Sequence, residues 1–494
     1  MNLTGKKMTF HRKENTYFHP KRVLFLLALI FSLVFLARAF DSGQIKRPYD
    51  PTVTPTRTNR SFVLEAETQF DSGNLPAAIK AYQEAISLNP NDVNLYSQLA
   101  RLQVYSSASL STDDQKRARL KEAMDTINTG VKVADDDSDV HAVKSFVLDW
   151  NANTTLVGAD EAKNLLTSAE QEAVRAIALD PGNNLAKAFY AEVLMDSMKY
   201  SQSELQINEA LNGDPNLMDL HRIMGQLWEI KGNYLKAIEE YKKATDIMPN
   251  LTFLYINIGL NYRVLAANDV TSPYYNDSLE WFAKAATINS NLGIQDPIPY
   301  LAIAKTYSQM GEFYIASLNG QKALVMEPNN PDVYGQLGII EYKGKNYEGS
   351  RIALKCAILG CSAKDSCDAR QCDDENNPAI VIDGMGLSNS TVVYYYTYGS
   401  VLAGLSKPQE NNCAEALEIF KQVREKYSDQ ESIMSIVKDG EGVCANIALK
   451  TKLLATQAAL GTAVANGTPM PATATPTNTP VPVRPTIPAG TPGN

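Results

Sequence analysis

The residues with the most chemical potential are six cysteines, all beyond residue 355. Four fall in CAILGCSAKDSCDARQC, as Cys356, Cys361, Cys367 and Cys372, and Cys413 and Cys444 follow near the starts of two predicted helices. The spacing C-x4-C-x5-C-x4-C departs from the paired C-x2-C of most structural zinc sites. An even number of cysteines in an exported chain favours disulfides; a mixture of bridges and free thiols, or a metal site, is the alternative. Spacing does not give the connectivity, and the expected role is to pin a long segment, residues 358–390. Other chemistry is sparse. Only four histidines occur, two of them (His11, His19) close to the N-terminus, so the commonest general acid–base residue is nearly missing. His141 and His221 each stand alone on helices, and Asp135, Asp136 and Asp137 read as a solvated loop that caps the next helix. The chain has no G-x-S-x-G, phosphate loop, H-E-x-x-H or dinucleotide fingerprint. An enzyme is not expected, nor a cofactor or metal.

What positions these residues is a repeat. Pro181, Pro215 and Pro249 are 34 residues apart, and each closes a similar block. The block reads small-x3-large-x2-small-x4-Pro: Ala78, Tyr82, Ala85, Pro90, and again Ala237, Tyr241, Ala244, Pro249. Looser copies are Ser203, Ile207, Ala210, Pro215 and Ala316, Gly320, Ala323, Pro328. A helix with its own pattern precedes each block, as in His221, Met224, Gly225, Trp228 and Tyr255, Ile258, Gly259, Tyr262 and Tyr300, Ile303, Ala304, Tyr307. Apolar residues at three- and four-residue intervals put one stripe on each helix, and small residues let backbones approach closely. Glycine in the connecting turns (Gly73, Gly232, Gly311) suits a left-handed helix end, and proline stops the second helix. A lone helix pair cannot hide its stripe, so neighbouring pairs must stack.

These residues resemble tetratricopeptide repeats over residues 59–430. The resemblance implies an all-α solenoid of about nine helix pairs in a right-handed superhelix. Polar insertions (SSASLSTDD, NANTTLVGAD, AANDVTSPYY) interrupt the rhythm, residues 431–466 suit capping helices, and 467–494 form a Pro/Thr-rich tail expected to be disordered. In resembling proteins the first helix of each pair lines a concave groove that holds peptides or protein segments. Carried over, that face gives Asp219, Arg222, Gln226 and Glu229, then Phe253, Ile256, Leu260 and Arg263. Ile298, Leu301, Lys305 and Ser308 follow, with Asp332, Ile339 and Tyr342 after them. An apolar strip rimmed by Arg222, Arg263 and Lys305 fits an amphipathic helix or extended peptide. The competing reading is that a one-residue shift in register makes these positions core.

Ahead of the repeats, a basic stretch (1–22) precedes an apolar segment (23–40) whose unbroken run is Val23 to Ala37. It reads as a single-pass membrane anchor, or as a signal peptide cleaved near Ala39, and in either case the bulk of the chain faces outward. A Pro/Thr-rich linker spans 41–58. The net charge of −9 and pI near 5.2 argue against nucleic acid as the main partner. The leading expectation is therefore a non-enzymatic adaptor, tethered outside the cytoplasmic membrane, that binds a protein or peptide. A structural spacer or self-assembling surface protein is the first alternative. The second is a receptor that uses the disulfide-held segment 358–390.

Overall fold

The computed structural model describes residues 20–41, 57–267, 269–372 and 377–465. The expected basic leader before residue 20, the linker from 42 to 56 and the tail from 467 lie outside them. Two units separate at Thr58. The first contains α1 (Pro20–Asp41), a helix long and apolar enough to cross a membrane, with Phe31 and Phe35 among its exposed side chains.

The second unit is helical throughout, with one isolated backbone bridge and no strand among the described residues. Its hairpins run in order along the chain. They are α2 (Asn59–Asp71) with α3 (Leu75–Leu88), and α4 (Val93–Ser107) with α5 (Asp113–Val133). α6 (Ser138–Asn151) reaches its partner α8 (Ala159–Leu179) through the single turn α7 (Thr154–Val157). α9 (Asn184–Asp196) pairs with α10 (Tyr200–Gly213), and α11 (Met218–Ile230) with α12 (Tyr234–Ile247). Next come α13 (Thr252–Leu265) with α14 (Tyr274–Asn291), α15 (Ile298–Gln309) with α16 (Phe313–Met326), and α17 (Pro331–Lys343) with α18 (Tyr347–Ile358). After the short α19 (Ala363–Arg370), α20 (Val392–Leu405) pairs with α21 (Cys413–Tyr427), and α22 (Glu431–Ala465) caps the end.

The repeat residues are buried as their pattern requires. Ala78, Tyr82, Ala85, Ala237, Tyr241 and Ala244 are all at most 3% exposed. The turns follow from chemistry too. Gly232 holds φ at 70°, and the next residue, Asn233, caps α12 by accepting from the Lys236 amide at 3.2 Å. Met198 occupies the same left-handed position at φ 60° without glycine's freedom.

A second recurring contact is invisible in the hydrophobic pattern. After four of the hairpin-closing prolines, the residue six places on reaches back to the proline carbonyl. Tyr96 donates to Pro90, Tyr255 to Pro249 and Tyr334 to Pro328, at 2.9, 2.6 and 3.0 Å. In the same role, the Nε2 of His221 lies 2.9 Å from the Pro215 carbonyl, and that of His141 lies 3.0 Å from the Asp135 carbonyl. These contacts satisfy the last orphan carbonyls of one pair while fixing the first helix of the next. The two folded histidines are therefore structural equivalents, each also held by a carboxylate: Glu172 for His141 and Glu240 for His221.

The solenoid also closes on itself. Arg101 and Tyr105 on α4 both bond to Asp219 on α11, and the Tyr105 ring stacks on Phe253 of α13 with centroids 5.6 Å apart. Asn250 donates to the Asp71 carbonyl at 3.0 Å, and Ser111, inside the first polar insertion, donates to Glu327 at 2.6 Å. That insertion thus spans a superhelical turn.

All six cysteines pair, as Cys356–Cys361, Cys367–Cys372 and Cys413–Cys444. The first two close loops only five residues apart in sequence, so they do not staple the long segment 358–390 as expected. Polar backbone contacts hold it instead. Cys361 and Ile382 exchange amide bonds at 2.9 and 3.0 Å, and buried Arg370 grips Asn377 and the Pro378 carbonyl. Cys413–Cys444 joins α21 to the cap.

Candidate functional site

The self-closure changes the expected groove. Phe253 is 7% exposed because Tyr105 covers it, and Leu301 is 6% exposed within the core. Arg222 is 1% exposed, with both terminal nitrogens 2.6 Å from the Glu192 carboxylate. These three are corrected from groove wall to core and ion pair: α4 crosses at Phe253 and at the Asp219 carboxylate beside Arg222, and Leu301 packs into the second core cluster. Ile256 and Leu260 are half-buried against Phe282, and Arg263, also half-buried, reaches the Ala302 carbonyl at 3.3 Å. Ile298 and Gln226 are half-buried, while Lys305 and Tyr342 remain exposed, the latter against Tyr347. The continuous apolar strip is not present as an open surface.

The accessible concavity lies one repeat upstream. A half-open cavity of about 770 Å³ is walled by α6, α8 and α9, with Gln226 of α11 at its edge. Residues of the second insertion, Asn153, Thr154 and Ala159, complete the wall. Its floor is acidic. Asp149 stands in the last turn of α6 and buried Glu192 near the end of α9, with Asp196, the last residue of α9, exposed at the mouth. Both helices thus direct the negative ends of their dipoles toward carboxylates, the reverse of the stabilising arrangement. Glu192 is neutralised by Arg222 and accepts from the Trp150 indole N–H at 3.2 Å. Glu170 is neutralised by Lys199, 2.7 Å from both its oxygens. Asp149 is 4% exposed and neither of its oxygens has a hydrogen-bond partner. Burial and the charges of Asp196 and Glu192 push its carboxyl well above the usual range. The same causes, burial and Glu192, push Asp196 up to about 7.

The sequence reading missed this site, although the repeat period contains it. Subtracting 34 from Gln226 gives Glu192, the equivalent first-helix position one pair earlier. Asp149 is harder to find because the insertion breaks the count.

A chain of helix hairpins stacked in register, with its inner wall on the first helices, is an α-helical repeat solenoid. Residues 67–104 match the family model for the TPR repeat. With the hairpins and buried small–large–small blocks above, the chain carries tetratricopeptide repeats. It is similar to the BBSome complex member BBS4 of Bos taurus, 28% identical over 163 residues, or 32% of this chain. The match spans 28% of that relative's length. Among solved structures it is similar to a human IFIT1 dimer with PPP-AAAA, at 17% identity and a TM-score of 0.45. That match covers 80% of this chain and 92% of the other. It is also similar to a tetratricopeptide repeat protein from Parabacteroides merdae, at 14% identity and a TM-score of 0.33, covering 57% and 98%.

Proposed function

We propose that this chain is a non-enzymatic scaffold that binds a segment of another protein on the inner wall of its repeats, held by α1 on the outer side of a cytoplasmic membrane. The cavity at α6, α8 and α9 carries the reading. Its volume falls within the range that ligand pockets occupy, and its wall joins the first helices α6 and α9 to the second helix α8. The location is supported by the apolar α1 and by three disulfides, which persist in oxidising compartments. The acidic balance favours a protein partner over nucleic acid. The spacer and receptor alternatives draw less support. Segment 358–390 is folded into the second half of the core through Cys361 and Ile382.

The test is site-specific photocrosslinking in intact membranes of the producing cell. A benzophenone amino acid replaces Gln226 at the cavity edge or, as a control, Glu239, which is exposed on α12. The scaffold reading expects a discrete heterologous adduct from position 226 and none from 239. Adducts only with a second copy would favour the self-assembling spacer, and no adduct at 226 would remove the proposal.

A further inference from the structure

The cavity holds a buried carboxyl group that the chain itself leaves unpaired. The two nearby cations that could reach its floor are committed: Arg222 is bidentate on Glu192, and Lys199 is bidentate on Glu170. Lys163 of α8 also lines the cavity but is exposed and makes no contact with Asp149, whose oxygens have no partner. Ionising a carboxyl buried without a partner at the negative end of a helix, beside a second such end, is costly, so the group keeps its proton. Ionisation becomes favourable only when a positive group arrives. A metal ion is the wrong arrival, since no group of three His, Cys, Asp or Glu residues is placed to hold one among the described residues. The space is also far larger than an ion needs, and Trp150, Leu166 and Met198 supply an apolar wall. An aliphatic stem ending in a charge matches both features, with an indole in the wall for its cationic head.

We propose that this cavity binds a lysine or arginine side chain of the partner segment, its charged head paired with Asp149 and its stem lying along the wall that includes Trp150. The proposal rests on the scaffold reading above and adds the chemistry of the occupant. It also carries a signature. Because Asp149 and Asp196 hold their protons to unusually high pH, an arriving cation must displace protons. Binding therefore tightens as pH rises, by at most about tenfold per pH unit for each proton released. The charges facing these groups are Glu192 on α9, Arg222 on α11, Glu170 and Lys163 on α8, and Lys199.

The experiment uses full-length, disulfide-intact protein in detergent as bait for a phage-displayed library of random peptides. Selected peptides are then synthesised and their affinity is measured by fluorescence anisotropy. The expected result is a shared lysine or arginine whose replacement by norleucine weakens binding at least about tenfold. Asp149→Asn weakens it similarly, and affinity is higher at pH 8 than at pH 6. Asp149→Asn keeps the side-chain shape, and Asp196→Asn at the cavity mouth gives a second, milder loss if the first variant misfolds. Peptides that crosslink at Gln226 but need no basic residue, and bind Asp149→Asn equally well, overturn the inference and leave the scaffold intact. A library that yields no binder overturns both. Spermidine competing at the peptide's own affinity would assign the site to small amines and also overturn the proposal.

Discussion

Replacing Asp219 with alanine tests whether the solenoid closes on itself in solution. The carboxylate is fully buried and takes the Arg101 guanidinium, the Tyr105 hydroxyl at 2.5 Å and a longer contact from Arg222 at 3.5 Å. Two of these partners come from a helix more than a hundred residues away. Burial alone would raise the Asp219 carboxyl, but the charges of Arg101 and Arg222 hold it below its ordinary value, so it is ionised at neutrality. Alanine leaves Arg101, whose side chain is 14% exposed, facing an empty site. Breaking a buried pair on one side costs about 3–5 kcal/mol. At a urea slope of about 3 kcal/mol/M, the midpoint should fall by about 1–1.7 M. Trp150, Trp228 and Trp281 are the chain's three tryptophans and all lie in this half, so intrinsic fluorescence reports the loss directly. Asp219→Asn, which still accepts from Tyr105, should lose less. A midpoint within about 0.2 M of the wild type for the alanine variant, well inside the predicted shift, would refute the bridge between α4 and α11 and leave an open superhelix.

Packing at the small first-helix position can be tested with Gly259→Ala, whose Cβ would lie 2.4 Å from Cε1 of the fully buried Phe282. Overpacking of about 1–3 kcal/mol should outweigh the helix gain of about 1 kcal/mol, whereas Gly442→Ala, with open space around it, should stabilise; thermal melts give both signs. Removing Cys413–Cys444 by double serine substitution frees a 31-residue separation and should cost about 3–4 kcal/mol by loop entropy, read by hydrogen exchange in α21 and α22. Stability should peak near pH 5. Glu172, Glu240 and Asp219 are depressed in the fold, so their contribution exists above the unfolded carboxylate range and is lost as pH falls below about 4. Burial raises Asp296 to about 6 and Glu341 to about 7, so the fold holds protons that the unfolded chain releases, and stability declines as pH rises from about 5 to 7. Melting temperatures that climb steadily from pH 5 to 8 would contradict this.

The fold was legible because its signal is local. Ala237, Tyr241 and Ala244 need only their own hairpin and the next one to be buried, so their spacing carries the architecture. The groove was less legible because a 34-residue period tells which face of each helix turns inward but not how tightly the helices wind. Phe253 lies on a first helix, yet Tyr105 from far upstream stacks on it and buries it. The cysteines showed the same limit. Their type and number pointed to disulfides, but two bridges close local turns, while Arg370 and the Cys361–Ile382 pairing organise the segment between α18 and α20.

The departures from the period are where this chain becomes specific. SSASLSTDD looks like a loop that the repeat tolerates, yet its Ser111 reaches Glu327 and Asn330 and ties the second helix pair to the loop between α16 and α17. NANTTLVGAD looks equally dispensable, yet Asn153, Thr154 and Ala159 line the cavity above Asp149. Regular repeats supply a wall of interchangeable helices, and a wall of that kind recognises nothing in particular. The contacts of α4 that close the turn bury part of that wall, at Phe253 and Arg222. A second insertion, one pair further along, shapes what remains open around an unpaired carboxyl group. On this view, deleting residues 153–158 would leave the helix pairs folded and take the binding site away.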